Sequence, residues 1–289
     1  MTLMMSCFSV YSADSTLVKK DTLWKTGGLF NLTFSQNHFN NDWVGGGQNS
    51  VAFNSRINLF ANYTKGNLAW DNALDLAYGR SQQGELEWRK NDDLIDLNTK
   101  IGYKASKKWF YSAILQFKTQ FDDGYKYFDD DPEKDRVLRS KFLTPAYTNL
   151  GLGMDYKPVD YLSVFMTPLN LKTTYVSDTI YGPLYSIDPG KHLLAKYGAL
   201  IKARFQKDLL DNVNLLSTLD LFSNYEELAL DKTDLTWEVL LTVKLWKIIS
   251  FNVNTVLIYD ADVKPLDENK EGPVWQFKEV LGFGLAYKF

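Results

Sequence analysis

Apolar and polar residues alternate one for one along most of the chain. Between Asn49 and Thr64 the odd positions include Val51, Phe53, Ile57, Leu59 and Tyr63, and the even ones Ser50, Asn54, Arg56, Asn58 and Asn62. That period of two is the mark of a strand with one apolar face. Trp24–His38 follows the same rule, with Phe30, Leu32 and Phe34 set against Asn31, Thr33 and Ser35. So do segments around Leu68–Tyr78, Ile95–Tyr103, Trp109–Phe121, Leu150–Tyr156, Tyr197–Phe205, Val213–Tyr225, Leu235–Leu245, Phe251–Tyr259 and Phe277–Phe289. Asp160–Tyr175 is the least regular segment. Pro168 interrupts it and removes a ladder donor, which predicts a bulge or a strand break there. Counting it, the pattern predicts twelve antiparallel strands.

The connections alternate between short and long. Lys65–Gly66, Ala105–Lys107, Pro158–Val159, Gln206–Leu210 and Lys247–Ile249 are short. Phe39–Gln48, Ser81–Asp92, Asp123–Pro145, Val176–Leu193, Glu226–Thr233 and Val263–Gly272 are long. One rim therefore carries tight turns and both termini, and the other carries every long loop. A two-residue loop at Lys65–Gly66 would pair Thr64 with Asn67 and join the two apolar faces on one side. The same register would set Arg56 opposite Asp75 as an ion pair.

Period two does not by itself say which solvent meets the apolar face. A soluble sandwich or lipocalin-like barrel would bury that face. An outer-membrane barrel would turn it to lipid and keep the polar face for the lumen. Four features favour the membrane. Strands of about 12–16 residues suit a tilted crossing of about 30 Å. The polar face is small or hydrophilic. Trp24, Tyr63, Tyr103, Trp109, Tyr156, Tyr259 and Tyr287 fall near strand ends, as interfacial girdles do. The long loops share one rim. The predicted fold is thus an all-β, 12-stranded antiparallel up-and-down transmembrane β-barrel with short periplasmic turns and long extracellular loops. It sits in the bacterial outer membrane as a multi-pass monomer. A sheet bathed in lipid must close without a free edge.

Composition adds exclusions. The 289 residues carry 45% hydrophobic side chains with no run of 18, which excludes a transmembrane helix. A net charge of −3 gives no electrostatic case for nucleic acid. The single cysteine, Cys7, excludes an internal disulfide framework and a cysteine zinc site. No metal or cofactor is expected. Met1–Ala13 is apolar and small, like the core of a secretory signal peptide, with cleavage after Ser12 or after Ala13. It lacks a basic n-region, so its start lies upstream or is truncated. A lipoprotein signal at Leu3–Cys7 fits less well because of Met4 and Met5. Residues 14–23 would be a short periplasmic segment and 24–289 the barrel.

The last strand alternates to the end through Leu281, Phe283, Leu285, Tyr287 and Phe289. It resembles the terminal aromatic signal recognised by the barrel-insertion machinery, with Phe283, Tyr287 and Phe289 as its elements. Other blocks are Trp43-Val-Gly-Gly-Gly47, Asp71-Asn72 with Tyr78-Gly79, Lys118-Thr-Gln-Phe121, Gly153-Met-Asp-Tyr-Lys157, Thr236-Trp-Glu238, Tyr259-Asp260 and Gln276-Phe-Lys-Glu279. Together they resemble an uncharacterised family of Gram-negative outer-membrane barrels, a domain of unknown function. The resemblance implies location and fold and carries no activity.

Candidate chemistry is sparse. Arg56, Asp71, Asp75, Asp96, Lys100, Lys104, Lys118, Gln120, Lys196, Lys202, Arg204, Asp220, Glu238 and Lys244 fall on the lumen parity. They would form either a stiffening salt-bridge network or a solute lining. Lys196, Lys202 and Arg204 on one strand would favour anions in an open path. His38, near Ser35 and Ser50, is the one position at which a rim hydrolase could be sought; Ser35 has the opposite parity, and no motif marks a nucleophile. Asp122, Asp123, Asp129, Asp130, Asp131, Glu133 and Asp135 lack the glycine and terminal glutamate of a calcium loop. With Arg136, Arg139 and Lys141 they make either a self-paired solvated loop or a divalent-cation bridge to lipopolysaccharide. Gly45–Gly47 precedes no Lys-Ser/Thr and reads as a turn, or a lid, rather than a phosphate loop. The leading functional expectation is a narrow channel or transporter for a small solute. The alternatives are a non-conducting structural or surface-interaction barrel and a lipid-modifying enzyme.

Overall fold

The computed structural model describes residues 23–40, 48–128, 136–226, 232–247, 249–263 and 273–289. Met1–Ala13 with Cys7, where the sequence predicts an export signal, residues 14–22, the Trp43–Gly47 block and Asp129, Asp130, Asp131, Glu133 and Asp135 lie outside the described residues.

The alternating segments form long strands: β1 (Trp24–Asn37), β2 (Ser50–Lys65), β3 (Leu68–Gln83), β4 (Arg89–Lys104) and β5 (Trp109–Thr119). A short hairpin follows, β6 (Gly124–Lys126) with β7 (Val137–Ser140). Then come β8 (Ala146–Val159), β9 (Leu162–Tyr175), β10 (Leu193–Leu210), β11 (Val213–Asn224), β12 (Thr233–Trp246), β13 (Ile249–Tyr259) and β14 (Gln276–Lys288). All except β6 and β7 join one closed barrel in the order β1-β14-β13-β12-β11-β10-β9-β8-β5-β4-β3-β2. The twelve-stranded meander therefore forms as the periodicity predicts, every neighbour antiparallel. The β6–β7 hairpin inside the longest loop was not expected, since its strands are too short to carry a period.

The expected bulge lies at Pro168. Leu152 pairs with Leu169 and Met154 with Met166, so β9 holds an extra residue there against β8. The same irregularity recurs against β10, between Gly198–Asn170 and Leu200–Thr167. A proline cannot donate to either ladder, and the bulge takes it out of register.

Several turn positions need correction. The β2–β3 turn is Gly66-Asn67, because Lys65 pairs with Leu68 and Thr64 with Ala69 rather than Asn67. Gly66 supplies the positive φ of 58° that the turn needs. This moves the register by two, so no side chain changes face. It does separate the expected ion pair: Arg56 lies opposite Ala77, and Asp75 lies opposite Asn58. Strands also run further than the polar clusters suggested. The β3–β4 connection shrinks to residues 84–88, and the turns after β8 and β10 are residues 160–161 and 211–212. Paired backbone outlasts the hydrophobic pattern at those ends.

Outward positions carry Leu97, Leu115, Leu150, Leu152, Leu169, Trp237, Phe277, Leu281 and Phe283, all exposed. The residues buried on the inner wall include Arg56, Asn58, Asp75, Asp155, Asn170, Lys172, Asn252 and Asn254. Polar inside and apolar outside is the inverse of a soluble core, and only hydrocarbon makes that arrangement favourable. The girdle residues meet at the turn rim as tilted ring pairs: Trp24 with Tyr63 at 5.1 Å and with Trp70 at 5.6 Å, and Trp109 with Tyr156 at 4.6 Å. At the loop rim Tyr259 meets Trp275 at 5.0 Å.

Candidate functional site

Among the described residues the lumen is the one enclosed polar region the topology builds, and side chains from opposite walls meet across it. At mid-height Arg56 on β2 reaches Glu238 on β12 at 2.5 Å and Asn254 on β13 at 3.3 Å. Arg204 on β10 reaches Asp75 on β3 at 3.6 Å, and Asp75 also accepts from Asn58 at 2.6 Å. Lys202 pairs with Asp220 at 2.5 Å and touches Gln116 at 3.3 Å. Gln116 donates to both oxygens of Asp96 at 3.0 Å. Lys118 lies opposite Asp96 in the ladder.

Nearer the periplasm a second network forms. Lys100 holds Asp155 at 2.8 Å and Ser163 at 2.6 Å, while Lys157 bonds Asp71. Nearer the outer mouth Lys172 binds Asp234 at 2.6 Å and Asp260 at 3.3 Å, Lys196 binds Asp262 at 2.5 Å, and Lys278 binds Asp92 at 2.6 Å. Asp234, Asp260 and Asp262 bring carboxylate oxygens within 4.8 Å of one another. The ammonium groups of Lys172 and Lys196 stand among them and balance most of that charge.

The lumen also has an apolar patch that alternation did not reveal. Ile114, Phe165, Leu200 and Phe222 form a buried cluster on β5, β9, β10 and β11. Each sits beside another apolar residue in sequence, as Ile114 does beside Leu115, so period two fails locally. Asp155, Lys157, Lys172, Asp92, Lys278, Asp260 and Asp262 were likewise missed. Asp155 has the polar parity of β8, and each of the others lies near or beyond a strand end or in the irregular segment around Pro168.

Three expectations change. Gln120 does not line the lumen: β5 ends at Thr119, and the Gln120 amide donates to the carbonyls of Lys141 at 2.7 Å and Thr144 at 2.6 Å, pinning the outer loop. Lys104 ends β4 and is exposed at the turn rim, while Lys244 sits half-buried near that rim. The anion-selective reading of Lys196, Lys202 and Arg204 loses its basis, because Asp262, Asp220 and Asp75 neutralise them one for one.

At the outer mouth the β9–β10 connection reaches to β7 and to the residues after β13. A short 3-10 turn (Thr179–Tyr185) is capped by Asp178, whose carboxylate accepts from the Ile180 N–H at 3.1 Å. That bond, with Lys141 at 3.3 Å, holds the Asp178 carboxyl below its ordinary range. Val176, Tyr185 and Ile187 are buried beneath Tyr181, Leu184, Leu194 and Val263. Burial pushes the Tyr185 hydroxyl up to about 12, so it stays protonated and donates to the Arg139 carbonyl at 2.8 Å. Arg136 is bound by Glu87 at 2.5 Å.

No histidine–serine pair forms among the described residues. Ser50 accepts from Asn37 at 3.1 Å rather than from His38, and His192 bonds the Val176 carbonyl at 2.8 Å.

Several solved structures align along most of the chain at low identity. The translocator domain of the autotransporter NalP from Neisseria meningitidis is 13% identical, covering 94% of this chain and 91% of its own, with a TM-score of 0.38. The β domain of the Bordetella autotransporter BrkA is 10% identical over 93% and 99%, with a TM-score of 0.32. OmpT, an outer membrane protein of Vibrio cholerae, is 10% identical over 92% and 97%, with a TM-score of 0.30. No curated protein matches the chain. Residues 34–125, from the end of β1 through β5 into β6, match the family model described as "Protein of unknown function (DUF3078)", and the chain is a twelve-stranded β-barrel of the outer-membrane type.

Proposed function

We propose that this barrel is a narrow channel or transporter for a small polar solute, held shut at mid-height by ion pairs that bridge opposite walls. The Arg56–Glu238 bridge carries the reading, because it joins strands separated by β1, β14 and β13. Buried ion pairs are a poor way to stabilise an interior, since desolvation offsets most of their attraction. A lumen lined with them is better suited to replacing the hydration of a passing solute. The paired lining argues for a neutral or zwitterionic solute over a net anion.

In this reading the barrel works as a monomer among lipid and lipopolysaccharide. Phe283, Tyr287 and Phe289 present the closing strand to the barrel-insertion machinery. Asp71, Lys100, Lys118, Lys196, Lys202, Arg204, Asp220 and Lys244 complete the polar path above and below the bridge.

Planar-bilayer recording tests the proposal. The purified protein should show small, rare openings, and Arg56→Ser with Glu238→Ser should raise conductance several-fold while the barrel stays folded. The β9–β10 connection tied across the outer mouth favours a second reading, a non-conducting structural barrel. Silence from both proteins would select it.

A further inference from the structure

The ladder that closes the barrel is short. β1 and β14 pair from Gly28–Phe289 to Phe34–Phe283 and, among the described residues, no further toward the outer rim. Beyond that point β1 stays with β2 up to Asn37–Ser50, and β14 stays with β13 up to Gln276–Ile258. The two strands therefore part above Phe34, each following its other neighbour. Among the described residues, Gln276–Gly282 have no ladder partner on the β1 side. Exposure follows the same break. Burial alternates through Thr33, but Phe34–Asn37 are all exposed, including Ser35 and Asn37, which have the lumen parity.

This gap lies at membrane depth. Phe277 is ten positions from Tyr287 in the lower girdle. At about 3.3 Å per residue and a tilt of about 40°, that is about 25 Å along the membrane normal. The parted segment thus spans the outer half of the apolar band. Unpaired backbone there is costly in hydrocarbon. Gln36 and Glu279 also face outward at this level and are exposed, where lipid disfavours them. Both features call for a polar medium reaching the seam from the lumen.

The axial exit is meanwhile crossed by an outer connection. The β9–β10 connection is tied down by Ser186 to the Asp262 carbonyl at 2.7 Å and by Tyr185 to the Arg139 carbonyl at 2.8 Å. We propose that the outer half of the β1–β14 seam is a lateral portal between the lumen and the outer leaflet, serving an amphipathic molecule. A charged lumen requires a polar part, and an exit into lipid requires an apolar part. This rests on the channel reading and extends it from a small polar solute to a molecule with an added apolar part. Continuing the existing register would shut the portal. It would set Ser35 against Gly282, Gln36 against Leu281, Asn37 against Val280, and His38 against Glu279, the last a complementary pair.

Cysteine pairs in a Cys7→Ser background test this in proteoliposomes. Gln36→Cys with Leu281→Cys spans the portal, and Leu32→Cys with Leu285→Cys spans the paired part of the seam as a control. The second pair should oxidise readily, since opposite residues lie about 4.5–5.5 Å apart at Cα. The first should oxidise slowly. Once formed, its disulfide should cut the transfer of a fluorescent lysophosphatidylcholine between leaflets several-fold and leave potassium conductance unchanged. The control disulfide should change neither. Equal oxidation rates, disulfide-linked dimers through either thiol of the portal pair, or unchanged lysolipid transfer in the locked protein would each overturn the portal. Loss of potassium conductance in every form would remove the channel reading, and the lysolipid transfer would still judge the portal.

Discussion

Arg56→Ala is expected to destabilise the folded barrel by about 3–5 kcal/mol, the usual cost of leaving one partner of a buried ion pair alone. The Arg56 side chain is 9% exposed and that of Glu238 21%, so water cannot fully replace the guanidinium. The variant also strips Asn254 of its 3.3 Å donor. Urea unfolding of the refolded protein in detergent micelles measures the loss. Arg56→Met combined with Glu238→Leu should recover most of it, because no unpaired charge then remains. A single variant as stable as the parent would mean that the two groups do not meet inside the lumen.

Leu152→Arg should cost about 2–4 kcal/mol in a bilayer, the range for a cation at the midplane of a barrel's lipid face. Leu152 lies midway along β8 and is 59% exposed. Tyr111, near the turn rim, is 63% exposed, and Tyr111→Arg should cost no more than about 1 kcal/mol at the interface. In a water-soluble protein both substitutions at such exposed positions would be nearly neutral. The depth dependence thus separates hydrocarbon from water as the outer solvent, with folding into lipid vesicles as the readout.

Strand number, closure and facing were legible because alternation has a period that survives small errors of register. The misplaced β2–β3 turn shows why: a shift of two residues changed the partner of Arg56 from Asp75 to Ala77 and left every side chain on its face. Partners across the lumen were not legible. Arg56 meets Glu238 and Arg204 meets Asp75 only because the sheet closes and tilts, which no local pattern encodes. The apolar lumen patch was hidden where two apolar residues are adjacent, as at Ile114-Leu115. Pro168 was readable as a bulge because its missing N–H acts locally. The parted seam could not be foreseen, since alternation in β1 and β14 continues straight through it.

Nitroxide scanning of β8 in lipid vesicles tests the central claim most directly. Labels at 147 to 156 should show oxygen accessibility rising at Leu150, Leu152 and Met154, with paramagnetic nickel chelate largely excluded there. The neighbouring positions, including Asn149 and Asp155, should show little oxygen contact. Uniform accessibility along the strand, or nickel contact peaking at Leu150 and Leu152, would contradict a barrel whose apolar face is turned to hydrocarbon.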